Sequence, residues 1–491
     1  MSRAFSVAAK LSPDTRQAIG IQVLSRSQPV SHLAATHQVS RKFVYQQGDK
    51  AQRALDESFA PSSSDDDVLF HLPVTKKWLY QLILGLVLIC HSSYRGVVEL
   101  LRDLFDTPLS IGTVHNRLGT MADKAAKLNQ AQDLSEIEVG LHDEIFQGKQ
   151  PVLAGVDADS TYCYLLQGVE HRDEDTWVWY LLEAMAQGFA PGYTIADGGS
   201  GLRAGQSAVM PEIPCHGDVF HIQQQFSQVA SGLARQAQWA TTRRLKIEQQ
   251  IAKARITNSV TQKMIIQQVQ ANRREAGLIA RAIDVKTLSQ WLSHDVLALA
   301  GLSLAGRQEL FDFIATELQH REGKYYPTIR KLRKALQNQR KQLLAFAGVL
   351  DQKLEAIAEQ FELPLQTVRD VCLLHRKQKT SNPYWERWNQ LHSQLSGRFH
   401  GLMEAVGNAL KETPRASSMV ENLNSRLRNY FFLRRSLGDD YLNLLQFFLN
   451  HRRFCRSRVP ERVGKSPKEL LTGQPHSHWL ELLGFERFQR A

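Results

Sequence analysis

Several carboxylates in this chain stand at the ends of short β-prone runs, where a fold could gather them for chemistry. The clearest is Asp197, in Tyr193-Thr-Ile-Ala-Asp197-Gly-Gly-Ser-Gly-Leu202. The run delivers an acid to its end and the glycines break it there. A carboxylate at the C-terminal edge of a strand sits on a rigid base and can hold a metal or a proton. Asp-Gly is also ordinary turn chemistry, so the acid's meaning depends on what joins it. Asp143 and Glu144 close the alternating run that starts at Glu136, and Asp157 and Asp159 close the run Pro151–Asp157. Asp218 lies in Pro214-Cys-His-Gly-Asp218-Val-Phe-His221. It is either an auxiliary ligand or the cap of a structural His-x-Asp-x-x-His turn. Zinc is disfavoured at His216 and His221, because no fourth ligand is spaced for it.

These acids need a frame. The spacing predicts three strands in a meander (136–144, 151–157, 162–168), a crossover helix over 176–187, and a fourth strand ending at Asp197. A mixed sheet of that order sets the first strand beside the fourth, so Asp143 and Asp197 become neighbours. A further strand is expected at 214–221. Residues 222–400 then read as almost wholly helical, with a break near 323–328, and Trp239 and Trp291 read as core residues. After this stretch, Met419-Val-Glu421-Asn-Leu-Asn424-Ser-Arg426-Leu-Arg428 starts a helix. Glu421, Asn424 and Arg428 share one face of it. From 422 to 466 there are ten Lys or Arg residues, among them Arg426, Arg428, Arg434 and Arg435, against three acids. That excess suits a phosphate backbone.

The rest of the chain fits a nucleic-acid partner. Over 491 residues the formal net charge is +11, with 43% hydrophobic and 22% charged residues. This is a soluble multidomain composition, and the excess positive charge favours a polyanion. Five scattered cysteines form no Cys-x-x-Cys pair, which fits a reducing compartment. No signal-peptide pattern is present, and the longest apolar run, Leu79 to Cys90, is too short to span a bilayer. The expected setting is therefore cytoplasmic and nucleoid-associated, away from membranes. Two helix-turn-helix patterns precede the strands. In the first, Ser40 caps a helix whose Arg41, Lys42 and Tyr45 would face DNA. In the second, Ser110 caps a helix offering Thr113, Asn116 and Arg117.

The acid-ended first strand, the Asp-Gly-Gly-Ser-Gly-Leu turn after the fourth, and the late Val-Glu-Asn-Leu-Asn-Ser-Arg-Leu-Arg helix together resemble the DDE-type transposases of bacterial insertion sequences. The resemblance covers about 136–225 and 413–472. It implies an α/β fold: a ribonuclease-H-like mixed sheet with a large all-α insertion, preceded by helix-turn-helix modules. The implied domains are a first module at 1–60, a linker at 61–75 and a second module at 76–134. The catalytic core follows at 135–225, the insertion at 226–408, and the rest of the core with the basic segment at 409–491. Asp143, Asp197 and Glu421 would be catalytic and would hold two Mg²⁺ ions, with Mn²⁺ as a substitute; Asp157 is the alternative first acid and Asp218 the auxiliary one. Asn424, Arg426, Arg428, Arg434 and Arg435 would touch DNA. The partners would be double-stranded DNA, as element ends and as target, and further copies of the chain assembled on it. Carboxylates suit Mg²⁺, and two such ions can activate a water and stabilise a leaving oxygen. The competing readings are a DNA-binding regulator of transposase origin that no longer cuts, and another metal nuclease of the same fold.

Overall fold

A computed structural model describes residues 8, 11–59, 72–322, 326–416, 418–432 and 438–487. The side chains of residues 418, 419 and 421 are outside that description. So are Arg434, Arg435 and most of the expected 61–75 linker. The chain forms two compact units, Met1–Val74 and Thr75–Ala491.

Among its described residues the first unit has the helices α1 (Pro13–Leu24), α2 (Val30–Thr36) and α3 (Arg41–Phe59). Ser12 starts α1 by accepting the Thr15 N–H at 3.2 Å, with Pro13 at the first helical position. Ile19, Leu33 and Val44 are its buried centre. The crossing of α1 and α3 is close because Gly48 lacks a Cβ, which would stand 2.5 Å from Cγ1 of Val23. Between α2 and α3 the chain turns at Gln38, whose φ is +52°, and the Ser40 hydroxyl accepts the Phe43 N–H.

The second unit is mixed α/β. Helices α4 (Lys76–Leu88), α5 (Tyr94–Phe105) and α6 (Ile111–Gln130) lead into β1 (Val139–Gln147), β2 (Gln150–Asp157) and β3 (Cys163–Gly168). Helix α7 (Glu174–Ala186) crosses to β4 (Tyr193–Ala196); α8 (Ser200–Val209) and β5 (Cys215–Gly217) follow. The sheet order is β3-β2-β1-β4-β5, with the first three strands antiparallel and β4 and β5 parallel to β1. Alternation along β1 sends Leu141 and Ile145 to one face, where they share a core with Val87, Val97, Val114 and Leu118 of α4–α6. Helices α4–α6 therefore belong to the main core of this unit rather than forming a module of their own. Trp177, Leu181 and Leu202 of α7 and α8 cover the other face. There Tyr164 lies against the sheet because residue 155 is glycine; a Cβ would meet its ring at 2.6 Å.

Two expected elements differ. β1 continues past Asp143 to Gln147, because its hairpin with β2 outlasts the short parallel neighbour β4. β5 is three residues long, and Asp218 caps a helix by accepting the Phe220 N–H at 2.8 Å, so His221 is helical.

That helix, α9 (Val219–Ile256), pairs with α10 (Gln262–Trp291) as a long hairpin. Then come α11 (Leu304–Glu322), α12 (Pro327–Asn338), α13 (Arg340–Gln360), α14 (Leu365–Leu374), α15 (Asn382–Leu395) and α16 (Phe399–Lys411). They build two helical cores, one around Phe226, Phe311 and Phe346, the other around Leu354, Val371 and Phe399. Trp239 is 72% exposed and Trp291 40% exposed, so neither is the core residue expected. Among the described residues the distal part of the hairpin packs on its own two helices, and Trp239 is left on an open side. Helix α17 (Ser418–Phe432) returns to the sheet, and α18 (Asp439–His451) packs beside α6 and β3. Helices α19 (Pro467–Thr472) and α20 (Trp479–Leu482) end the unit. No helix among the described residues is long and apolar enough to cross a membrane.

Candidate active site

Strand register brings three acids to one edge of the sheet. His142 pairs with Ala196, and Ala196 with Gly217. The next residues along these three parallel strands are Asp143, Asp197 and Asp218. Asp157 is elsewhere: its register partner is Gly140, three residues before Asp143, about 10 Å along the strand. Its carboxylate accepts from the Ser160 N–H at 2.8 Å and from the Ser160 hydroxyl, closing the β2–β3 turn. Asp143 is thus the acid beside Asp197, and Asp157 is a buried turn cap.

Asp143 is 5% exposed. One carboxylate oxygen accepts the Glu144 N–H at 2.8 Å, and the other accepts Nδ2 of Asn424 at 2.8 Å. His221 Nε2 stands 3.9 Å from Asp143 and 3.5 Å from Asp218. Burial raises the Asp143 pKa to about 6; His221 and the two hydrogen bonds pull it down, and the nearby Asp197 charge pushes it up. Asp197 accepts the Gly199 N–H at 2.8 Å, while Arg203 donates to the carbonyls of Asp197 and Ala196 and fixes the end of β4. Glu144 points to the opposite face, held by Arg172 at 2.7 Å and by the Trp177 indole at 3.3 Å. That leaves it no part in the acid pair.

Asn424 departs from its expected place at the DNA. It is buried, and its amide is engaged by Asp143, since α17 packs across β1. Its Oδ1 has no hydrogen-bond partner. Glu421 lies one turn earlier on the same helix. Among the described residues, no group of three or more His, Cys, Asp or Glu could hold a metal ion by itself.

Arg428 is exposed, whereas Arg426 is half-buried and its pKa is lowered by desolvation. Arg41, Lys42 and Tyr45 are exposed on the first turns of α3. Asn116 and Arg117 are exposed on α6, with the Arg117 guanidinium 4.4 Å above the Tyr80 ring. Thr113 is half-buried, and its hydroxyl is hydrogen-bonded to Ser110. Along the first turns of α9 opens a cavity of about 780 Å³, lined by Phe220, Gln223, Gln224, Ser227, Arg235 and Arg415.

Sequence reasoning missed the roles of His221, Arg203 and Asn424 around the acids. His221 carried a signal in its spacing from Asp218, and Asn424 one in its spacing from Glu421. No protein-family model matches the chain, and no curated protein matches it in sequence.

Proposed function

We propose that this protein is a DDE-type transposase with a ribonuclease-H-like core, cutting the ends of a DNA element and joining its 3′ ends to target DNA. The observation that supports this most is the placement of Asp143 and Asp197 one residue beyond the last paired residues, His142 and Ala196, of the adjacent parallel strands β1 and β4, with Asn424 tying Asp143 to the helix that carries Glu421.

The donor set fits a hard cation. Asp143, Asp197 and Glu421 would be its ligands, all oxygen. The buried Oδ1 of Asn424, which lacks a partner, is the structural observation that agrees with a cation or its water beside Asp143. A bound Mg²⁺ would supply Lewis acidity and a lowered water pKa. The protein's own part is to hold the acids. Asp197 is pinned through Gly199, its strand end through Arg203, and Asp143 through Asn424. The pKa near 6 means that Asp143 is mostly ionised at neutral pH, ready to ligate. The exposed basic residues of α3, α6 and α17 would carry DNA by contacts to phosphate.

The test is cleavage and strand transfer on DNA carrying the sequences that flank the gene on both sides, with Mg²⁺ supplied. Asp143→Asn, Asp197→Asn and Glu421→Gln should each lower the rate by on the order of 10³ or more, with end binding within a few-fold of wild type. Wild-type protein that binds those ends and never cuts would leave the regulator reading instead.

A further inference from the structure

The distal part of the α9–α10 hairpin carries an apolar face that no other described residue of the second unit covers. On α10 the residues packed against α9 include Leu278, Ala282, Val285 and Leu288. One residue further round runs a second series: Ile265, Val269, Asn272, Ala276, Ile279 and Ile283. Its steps of four, three, four, three and four are heptad spacing. All six residues are exposed, Ile265 at 51%, Val269 at 45%, Ile279 at 38% and Ile283 at 58%.

α9 has the matching series. Ala237, Ala240 and Ile251 face inward, and Arg244 reaches across to Glu275 of α10. One residue beyond Ile251 lies a row of Leu245, Gln249, Ala252 and Ile256, also exposed. The two helices are right-handed and run antiparallel. A step of one residue past the contact line therefore turns both rows to the same side of the hairpin. The result is a two-helix face, apolar at both ends, with Gln249 and Asn272 forming a polar band across its middle.

We infer that this face is a self-association surface, and that its occupant is a second copy of the same hairpin, packed antiparallel into a four-helix bundle. The α10 row is nearly palindromic about Asn272. Ile265 and Ile279 each lie seven residues from it, Val269 three and Ala276 four. A two-fold axis through Asn272 sets Ile265 against Ile279 of the second copy and β-branched Val269 against small Ala276. Asn272 then meets its own mate, and two carboxamides can exchange hydrogen bonds. An isologous contact demands this self-complementarity. The row is about 27 Å long on helices 8–10 Å apart, so it covers about 500 Å² per copy and about 1,000 Å² in all, the lower end of a specific interface. An area of that size can hold a dimer at about the micromolar concentrations of a sedimentation cell. It is independent of the acid pair.

The full chain would be run by sedimentation equilibrium over a concentration series. The mass should rise above the 55.7 kDa of one chain toward twice that value. Val269→Glu with Ile279→Glu should hold it at one chain without altering the far-ultraviolet circular dichroism, since both positions are exposed. Trp239→Ala, at an exposed residue outside both rows, should change nothing. For orientation, an equal mixture of Ile265→Cys and Ile279→Cys chains would be oxidised and scored for covalent dimers, with wild type as the background for exposed Cys90 and Cys455. The mixture should cross-link at least several-fold more than either variant alone. A wild-type chain that stays monomeric, a double variant that still dimerises, or cross-linking no greater in the mixture would each overturn the inference.

Discussion

At the scale of single residues, Asp143 and Asp157 show how two acids of similar sequence context acquire different work. Both are buried and both have pKa values raised by burial. Asp157 spends its hydrogen-bonding capacity on Ser160, so Asp157→Asn should act on stability. The neutral amide keeps an acceptor oxygen but loses the charge-assisted bonds, for a cost of about 1–2 kcal/mol in urea unfolding with Mg²⁺-dependent cutting largely retained. Asp143→Asn gives up two charge-assisted bonds in the same way and should cost a similar amount in urea unfolding, but it should also abolish cutting. If Asp157→Asn were the inactive variant, the assignment of the first acid would fall. Asn424→Ala should cost about ten- to a hundred-fold in cutting at unchanged DNA affinity, since it frees Asp143 without touching a proposed ligand. That Asp143 and Asp197 lie on adjacent strands was legible in the sequence, because strand order decides which strands are neighbours; that β1 runs on past Asp143 to Gln147 was not. The contact of Asn424 with Asp143 was not, since it joins residues 281 positions apart and depends on how α17 docks.

At the scale of elements, the helical insertion is fastened by one buried guanidinium. Arg307 is fully buried, and its donors reach the carbonyls of Val296 and Leu302 at 2.6 Å, of Leu299 at 3.0 Å, and of Ala298. These carbonyls belong to the π-helical turn Leu292–Val296 and the connection into α11, which would otherwise bury acceptors without donors. Desolvation lowers the arginine's pKa to about 10, still far above neutrality, so the donors remain in place. Arg307→Met should therefore cost about 3–5 kcal/mol by leaving several carbonyls unpaired, and Arg307→Lys should recover only part of that, having fewer donors and no planar fork. Urea unfolding checks both, and a loss under 1 kcal/mol for the methionine variant would show that water or relaxation satisfies the carbonyls. Sequence periodicity identified these residues as helical but had no means of marking Arg307, because a lone arginine on a helix is ordinarily solvated. The same limit applies to Trp239. Composition placed it inside, whereas the hairpin outruns the helices that could have covered it.

At the scale of the whole molecule, the balance of buried titratable groups sets how the protein meets acid. His142 and His216 have pKa values lowered to about 4 by burial, and His451 to about 3. His142 is hydrogen-bonded to Tyr164, His216 is stacked on Tyr193, and His451 is hydrogen-bonded to the Phe447 carbonyl. Each folded pKa lies below the unfolded value near 6.5, so the unfolded chain binds more protons in between. The stability linked to these histidines is complete above pH 6.5 and falls as the pH drops toward 4. From pH 7 to pH 5 the loss is about 2 kcal/mol for each, and about 6 kcal/mol together. Asp143 works in the opposite direction. Its folded pKa lies above the unfolded one, so protonation on acidification returns stability, by about 1 kcal/mol over the same range. The histidines win, and the second unit should lose several kcal/mol between pH 7 and pH 5 in the absence of divalent ions. Urea midpoints of the full chain at half-unit pH intervals would measure the slope. His451→Leu should remove about a third of it, since leucine fills the apolar site beside Phe447 and takes up no proton. A midpoint that holds steady from pH 7 to pH 5, or a slope unchanged in the variant, would mean that these imidazoles are protonated in the folded protein and that their pockets admit water.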